Sequence, residues 1–457
     1  MTVNSPPINS TPVPDALLSV LACPETGGSL VLEQDALVSP TNGTRYPLVG
    51  AVPWLLPSPS NSLVDWGAKL NHFNQTLLSE IKDLEKAVAQ TDGATHERMQ
   101  RLLQGKKIFL RRVSELLLPM VRAQASTKQA YDALRDRAPT TQNLLSYEAN
   151  LYRDWVWGQE ENKLTAEIVA SLLTNEVAGK VVVIGAGAGR LALDLHRAWQ
   201  AELTVATDIN PLLVMAAEHL LSGSDLPFVE FPLQPRKSEF AAIEHLIHGE
   251  ERPENFHFVF SDATKPSVKR SAFDVVVTPW FVDIQPLEFG RFLRQLNHYV
   301  PVGGQWINFG SLVFNQRREK LCYSIDEVQS IAEQQGFQIE SIQEHEIPYL
   351  QSPYNAGYRM ERVWSWTAKK IADVQAISSP QVLPPWLLDG AQPIPKAEYF
   401  QRFAYTHRVY AQLTSEVDGR TSISKIAKKF ARQNKMEDSE AQRLVLEFFM
   451  DLHRQNT

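Results

Sequence analysis

The stretch that decides the fold is Val181-Val182-Val183-Ile184-Gly185-Ala186-Gly187-Ala188-Gly189-Arg190-Leu191. Four branched apolar residues with no polar alternation read as a strand buried on both faces, the pattern of a parallel sheet. The glycines that follow stand where a helix begins, so the backbone there can approach a ligand closely. Asp208 comes nineteen residues beyond Gly189, at the end of the next strand candidate, Leu203–Thr207. A carboxylate in that position can accept both hydroxyls of a ribose. Strand, glycine turn, helix, strand and terminal Asp, in this order, read as a nucleotide site. The competing reading, a tight turn without a nucleotide, leaves Asp208 a coincidence. The dinucleotide fingerprint G-x-G-x-x-G does not fit, because Arg190 stands where its third glycine belongs.

From Lys180 to Lys370 short β-rich runs alternate with helical ones, which predicts an α/β sheet. The strand candidates are Val181–Ile184, Leu203–Thr207, Phe256–Phe260, Phe273–Thr278, Gln305–Phe309, Phe337–Ile342 and Arg362–Thr367, seven in all. Ser324-Ile325-Asp326-Glu327 opens the helix before the sixth with a capping box. Upstream, residues 62–137 are expected to be helical. Leu70, Phe73, Leu77, Ile81, Leu84 and Val88 recur at steps of three and four, and a second helix is expected over Glu97–Met120. Residues 94–140 carry ten Lys/Arg against four Asp/Glu, which reads as a solvated helix face.

Before that lies a small β-hairpin module with apolar stretches at Leu30–Leu32 and Tyr46–Val49, closed by the linker Pro57-Ser58-Pro59-Ser60. Residues 1–15, with four prolines, read as a disordered lead, and 371–398, with five, as a second linker. The tail is expected to be helical. One face carries Ile423, Ile426, Ala427 and Phe430; another, after a Ser439…Gln442 capping box, carries Leu444, Val445, Phe448, Phe449 and Leu452.

Composition narrows the function class. Across 457 residues, 44% hydrophobic and 21% charged content is that of an ordinary globular chain. A net charge of −7 speaks against a dedicated nucleic-acid binder. Two cysteines, Cys23 and Cys322, are too few for a disulfide framework or a cysteine-based zinc site. No apolar run reaches the ~18 residues of a membrane span. The first twenty residues lack a secretory pattern, so a cytoplasmic location is expected.

Four stretches acting together narrow the family: Tyr152-Arg153-Asp154-Trp155, the turn from Gly185 to Leu191, Val277-Thr278-Pro279-Trp280-Phe281-Val282-Asp283, and Trp306-Ile307-Asn308-Phe309-Gly310-Ser311-Leu312. The G-x-G-x-G turn resembles motif I of S-adenosylmethionine-dependent methyltransferases. The set as a whole resembles the carnosine N-methyltransferase family, which methylates an imidazole nitrogen of a histidine-containing dipeptide. The resemblance covers about residues 140–370. It implies a Rossmann-like, seven-stranded methyltransferase sheet with S-adenosylmethionine as cofactor.

Matched position by position, Arg153 and Arg190 fall beside the methionine portion of the cofactor, and Gly185, Gly187 and Gly189 form its turn. Asp208 becomes the ribose ligand and Asp262, with Ala263, the adenine side; Thr278 closes the cofactor set. Asp283 matches the aspartate facing the substrate imidazole and is the candidate catalytic residue; its other reading is a helix N-cap. Where the family has a substrate-contacting histidine this chain has Asn315, which can hydrogen-bond but carries no charge. Tyr358, in Tyr354-Asn355-Ala356-Gly357-Tyr358, matches a substrate segment imperfectly.

Two flanking modules carry resemblances of their own. Ala22-Cys23-Pro24 and Tyr46-Pro47…Val52-Pro53 resemble the small zinc-ribbon-like activator domain found with methyltransferases; Thr26 replaces the second ligand, so no metal is expected. The stretch from Val417 to Ala427 resembles PqqD-like winged-helix domains that bind leader peptides. The expected organisation is 1–15 lead, 16–60 zinc-ribbon-like module, 61–140 helical region, 141–370 methyltransferase domain, 371–398 linker and 399–457 PqqD-like domain. The expected activity is N-methylation of a small histidine-containing compound, with no nucleic-acid or membrane partner. A peptide acceptor recruited by the tail, and a non-catalytic binding protein, are the alternatives.

Overall fold

Val181 and Val183 pack into one hydrophobic core, while Val182 and Ile184 pack into another on the opposite side. Strand geometry sends successive side chains to opposite faces, so an all-apolar strand has a core on each side of it. In the computed structural model, which describes residues 13–123, 143–174, 178–314, 319–375 and 408–456, this strand lies inside an eleven-stranded sheet.

The described strands are β1 (Val31–Glu33), β2 (Ala36–Val38), β3 (Arg45–Val49), β4 (Val52–Leu55), β5 (Lys180–Ile184), β6 (Leu203–Asp208), β7 (Leu226–Glu230), β8 (Ile243–Ile247), β9 (Phe256–Ser261), β10 (Val275–Pro279), β11 (Gln305–Gly310), β12 (Phe337–Tyr349) and β13 (Arg359–Lys370). The sheet order is β1-β2-β3-β4-β9-β6-β5-β10-β11-β13-β12. Strands β9, β6, β5, β10 and β11 are mutually parallel, and β13 enters antiparallel between β11 and β12. Each of the seven expected runs lies in or overlaps a strand of this sheet. The strand count needs correcting, because four N-terminal strands extend the sheet to eleven.

That extension is the main difference from the sequence reading. β1 to β4 form an antiparallel meander, and β4 then pairs in parallel with β9, Trp54 opposite Phe260 and Leu55 opposite Ser261. Strands of three to five residues have too little alternation to show their pairing, and β9 lies far along the chain. The linker expected at 57–60 is instead the start of a helix, Pro59–Ala89, with proline in its first turn. A second addition is the β7–β8 hairpin, with Leu226 opposite Ile247 and Glu230 opposite Ile243.

The expected helices are present as Pro59–Ala89 and Gly93–Leu116. Leu70, Leu77 and Ile81 of the first meet Phe109 and Val113 of the second in the core on the Val181 side. Part of the basic stretch is paired across this helix hairpin, Lys106 to Glu80 and Lys107 to Glu85, both at 2.7 Å. The other face is covered by helices Phe289–Leu296 and Ile325–Gln334 and by Leu17, Val20 and Leu21. Ser324 and Glu327 make the expected capping box.

The chain divides into two compact units, residues 1–377 and 378–457. In the second, Ile426, Ala427 and Phe430 of helix Ile423–Asn434 pack with Ala441 and Val445 of helix Asp438–Asn456. The Ser439…Gln442 capping box is not formed, since the helix already includes Asp438 and Gln442 donates to Ser424 Oγ. Most of the expected 371–398 linker lies outside the described residues. No described helix is long and apolar enough to cross a membrane.

Candidate active site

The turn after β5 is built on backbone bonds. Gly185 and Ala186 both donate to the Thr207 carbonyl at 2.9 Å, which ties the turn to the end of β6. Gly187 has φ +58, and a Cβ there would meet nothing nearer than Leu213 Cδ1 at 4.0 Å. Its open side is where a ligand can approach. Gly185 and Gly189 have a different job: a Cβ would come 2.4 Å from the Phe281 ring at the first and 2.3 Å from Phe258 at the second. They let the turn pack.

Asp208 is the centre of this half. Oδ2 accepts from Gly187 N and Oδ1 from Asn210 N, each at 2.8 Å. Burial pushes its carboxyl above the usual range, while the N–H groups of Asn210, Gly187 and Ile209 pull it back. A carboxylate accepts about four hydrogen bonds, so beyond these N–H groups it keeps acceptor capacity.

Arg153 opens a π-helical turn, Arg153–Trp157, between helices Glu148–Tyr152 and Gln159–Ala170. Such turns are rare and cluster at functional sites. The turn is tied to the glycine loop, because Trp155 Nε1 donates to the Ala188 carbonyl at 2.9 Å. Arg153 is already engaged: Nε and Nη2 lie 2.8 and 2.7 Å from Asp154, and Nη1 is 3.8 Å from Glu161. Nη1 is its loosest donor. Arg190 Nε contacts both oxygens of Asp194 at 3.0 Å, one helical turn on, with its guanidinium 5.7 Å from the Trp155 ring. Both arginines therefore stand beside the turn, each with a carboxylate of its own.

Asp262 follows β9, and its Oδ1 accepts from Thr264 N at 2.8 Å and Thr264 Oγ1 at 2.7 Å. Ala263 beside it is buried. The loop is fastened by the N-terminal segment: Ala22 N donates to Ser267 O, Lys269 N to Val20 O and Lys269 Nζ to Ser19 O. Thr278 departs from expectation. It is fully buried, with its hydroxyl between Trp306 Nε1 at 2.9 Å and the Asn308 side chain at 2.8 Å, so the hydroxyl serves the sheet rather than the cleft.

The chain leaves β10 through Trp280, a non-glycine residue at φ +51. Strained backbone of this kind persists only where its surroundings hold it. Here Trp280 N donates to Phe309 O at 2.6 Å, and its ring packs, tilted, 4.5 Å from Tyr349. A Cβ at Gly310 would lie 2.9 Å from Trp280 backbone atoms, so only glycine leaves room. Asp283 is buried, and its Oδ2 accepts from Ser311 Oγ at 2.6 Å and Val313 N at 3.1 Å. Burial raises its carboxyl above the usual range, the Ser311 and Val313 bonds lower it, and nearby Glu361 raises it. It caps no helix; Glu288 does that for Phe289–Leu296.

Tyr358 is 72% exposed and is not drawn into this constellation, and Asn315 lies outside the described residues. Three residues the sequence reading missed stand close by: Tyr147, Tyr349 and Glu361. Asp283 interacts electrostatically with both Tyr147 and Glu361, and Tyr349 with both Arg153 and Glu361.

A family model described as carnosine N-methyltransferase matches residues 232–371. That span begins after the glycine turn and contains Asp262, Trp280, Asp283 and β9 to β13. This chain is an S-adenosylmethionine-dependent methyltransferase. A search of curated proteins finds no match to it. Among solved structures the methyltransferase is similar to a SAM-dependent methyltransferase from Methanosarcina mazei, 14% identical over 45% of this chain and 97% of that one, TM-score 0.32. It is also similar to a methyltransferase complex with the Trm112 activator from Haloferax volcanii, at 12% identity over 50% and 97%, TM-score 0.35. A phosphoethanolamine N-methyltransferase from Haemonchus contortus, solved with S-adenosylhomocysteine, is 10% identical over 52% and 61%, TM-score 0.34.

Proposed function

We propose that this methyltransferase places the methyl group on a ring nitrogen of an imidazole in a small histidine-containing compound such as carnosine. The observation that carries the reading is Asp283: a buried carboxyl just beyond β10, tethered through Oδ2 and lying in the segment the family model matches. The residues present fit the cofactor. Gly187 leaves open space, Asp208 keeps acceptor capacity, and Asp262 is tied in the side-chain bonds described through Oδ1 only.

In this assignment Asp208 holds the ribose, Asp262 and Ala263 the adenine side, and Arg153 Nη1 with Arg190 the methionine end. S-adenosylmethionine supplies a methyl group already activated on a sulfonium, so the protein has mainly to position and desolvate. Asp283 accepts the N–H of the acceptor ring and fixes its tautomer, which leaves the other nitrogen's lone pair free to react. As that nitrogen gains the methyl group the ring becomes cationic, and the fixed carboxylate offsets the new charge. Trp280 and Tyr349 line the approach with aromatic surface.

Incubation with methyl-labelled cofactor and carnosine, followed by location of the label on the ring, tests the assignment. A protein that binds the cofactor yet labels neither carnosine nor any other imidazole sinks it.

A further inference from the structure

We propose that Tyr147 is a positioning residue that closes the cleft between the ribose-side Asp208 and the acceptor-side Asp283; this rests on the assignment of those two residues above. Tyr147 precedes helix Glu148–Tyr152 and holds φ +65, a conformation that glycine or asparagine adopts with far less strain. Its side chain makes no capping hydrogen bond in return. Its carbonyl accepts Asn150 N at 2.9 Å and so opens the helix, a main-chain role that any residue could fill; a tyrosine held at this angle points to a use for its side chain.

What holds Tyr147 in place is the cofactor half of the site. Asn210 Nδ2 donates to Ser146 O at 2.9 Å and to Leu144 O at 3.4 Å, while Asn210 N donates to Asp208 Oδ1 at 2.8 Å. Asn210 Oδ1 in turn caps the helix that follows β6, through Leu212 N at 3.0 Å. One residue therefore joins the Tyr147 turn, the ribose carboxylate and a helix start. The segment is pinned again downstream by Tyr152 Oη on Val229 O at 2.6 Å and by Trp155 on the glycine loop.

Between these anchors Tyr147 remains 44% exposed. Burial raises its phenol above the usual range, and the charges of Asp283 and then Asp208 add to the rise. The phenol thus feels both charges, and the main chain beside it is tied through Asn210 to Asp208. Closed over the bound cofactor, the ring excludes water from the gap the methyl group crosses, and its hydroxyl donates to Asp283 and orients that carboxylate.

The test uses the full chain and its Tyr147→Phe and Tyr147→Gly variants. S-adenosylhomocysteine is the calorimetric probe, and methyl transfer to carnosine the activity probe. Tyr147→Gly relieves the backbone strain, so its Tm should equal or exceed that of the parent, while affinity for S-adenosylhomocysteine falls tenfold or more. Tyr147→Phe should keep that affinity within threefold and lower kcat at least fivefold. Equal affinity and turnover in all three proteins overturns the proposal, and so does an affinity loss in the glycine variant that phenylalanine fails to rescue. A parent protein that does not bind S-adenosylhomocysteine overturns the cofactor assignment and this inference with it. A parent that binds but leaves carnosine unmethylated sinks only the acceptor assignment, and the affinity comparison then decides on Tyr147.

Discussion

The two sides of the cleft are held by different means. On the adenine side, the loop after β9 is fastened by main-chain bonds from Val20 and Ala22, and β9 itself is flanked by β4 and β6. On the acceptor side, Asp283 is fixed by one hydroxyl and one N–H, and Trp280 stands at a strained angle. Main-chain ladders tolerate side-chain change, because the bonding groups are the same in every residue. Side-chain bonds do not. A cofactor common to many methyltransferases suits the first arrangement, and an acceptor peculiar to one suits the second.

The strongest way to break this comparison is to attack the adenine side where it depends on a side chain. Trp54 is fully buried in β4 and its ring lies 4.6 Å from Phe260 of β9. Trp54→Ala should cost about 3–5 kcal/mol of stability, read as a fall in denaturant midpoint, with weaker cofactor binding. An unchanged midpoint would show that β4 is dispensable.

Asp283→Asn probes the other side. Turnover on an imidazole acceptor should fall about 100-fold, or about 2.7 kcal/mol, with S-adenosylhomocysteine affinity within twofold. The carboxylate must be charged to act and its pKa is raised, so activity should fall with decreasing pH at a higher pH than for an ordinary aspartate. The asparagine variant should lose that acid limb. A matching loss of cofactor affinity would mean that the two sides are not separate.

Glu148 is half-buried, its carboxyl 3.0 Å from Tyr152 Oη and its pKa raised from 4.5 to about 7, chiefly by desolvation. Tyr152 has one proton and also faces Val229 O, which suits a protonated Glu148 as donor to the phenol. A carboxyl whose folded pKa lies above its unfolded value contributes stability that is fully present below pH 4.5 and lost as pH rises through about 7. Glu161, raised to about 7, adds in the same sense. Glu148→Gln should therefore gain on the order of 2 kcal/mol over the parent at pH 8 and little or nothing at pH 5. A gain equal at both values would rule out titration as the cause.

The smallest effect is expected at Lys269. Lys269→Ala removes the Nζ bond to Ser19 O but leaves Lys269 N on Val20 O, so stability should drop by about 1 kcal/mol or less and cofactor affinity should hold within twofold. A tenfold loss of affinity would show that the adenine loop hangs on its side chains after all.

Much of this was legible from the sequence, for identifiable reasons. The run Val181–Ile184, the three glycines and Asp208 could be read because strand burial, turn and strand end leave their marks in adjacent residues. The helix hairpin could be read because its apolar residues repeat at helical spacing over many turns. Asp283 came from a resemblance; no local pattern marks it. Tyr147 left no signal, since a half-exposed tyrosine before a short helix resembles any other. For Thr278 the sequence could not show that its hydroxyl turns to Trp306 and Asn308 on β11.

By itself, then, the sequence determined the strand-turn-strand unit that makes a nucleotide site, because hydrophobic burial and backbone freedom are encoded residue by residue. Only the tertiary structure decided that the N-terminal meander completes the same sheet, that Asn210 joins the Tyr147 turn to Asp208, and that Arg153 arrives with Asp154 and Glu161 around it. The first two depend on pairing between residues distant in the chain and the third on how a π-helical turn folds back on its neighbours; in each, hydrogen-bond geometry and packing select the partner and local composition is silent.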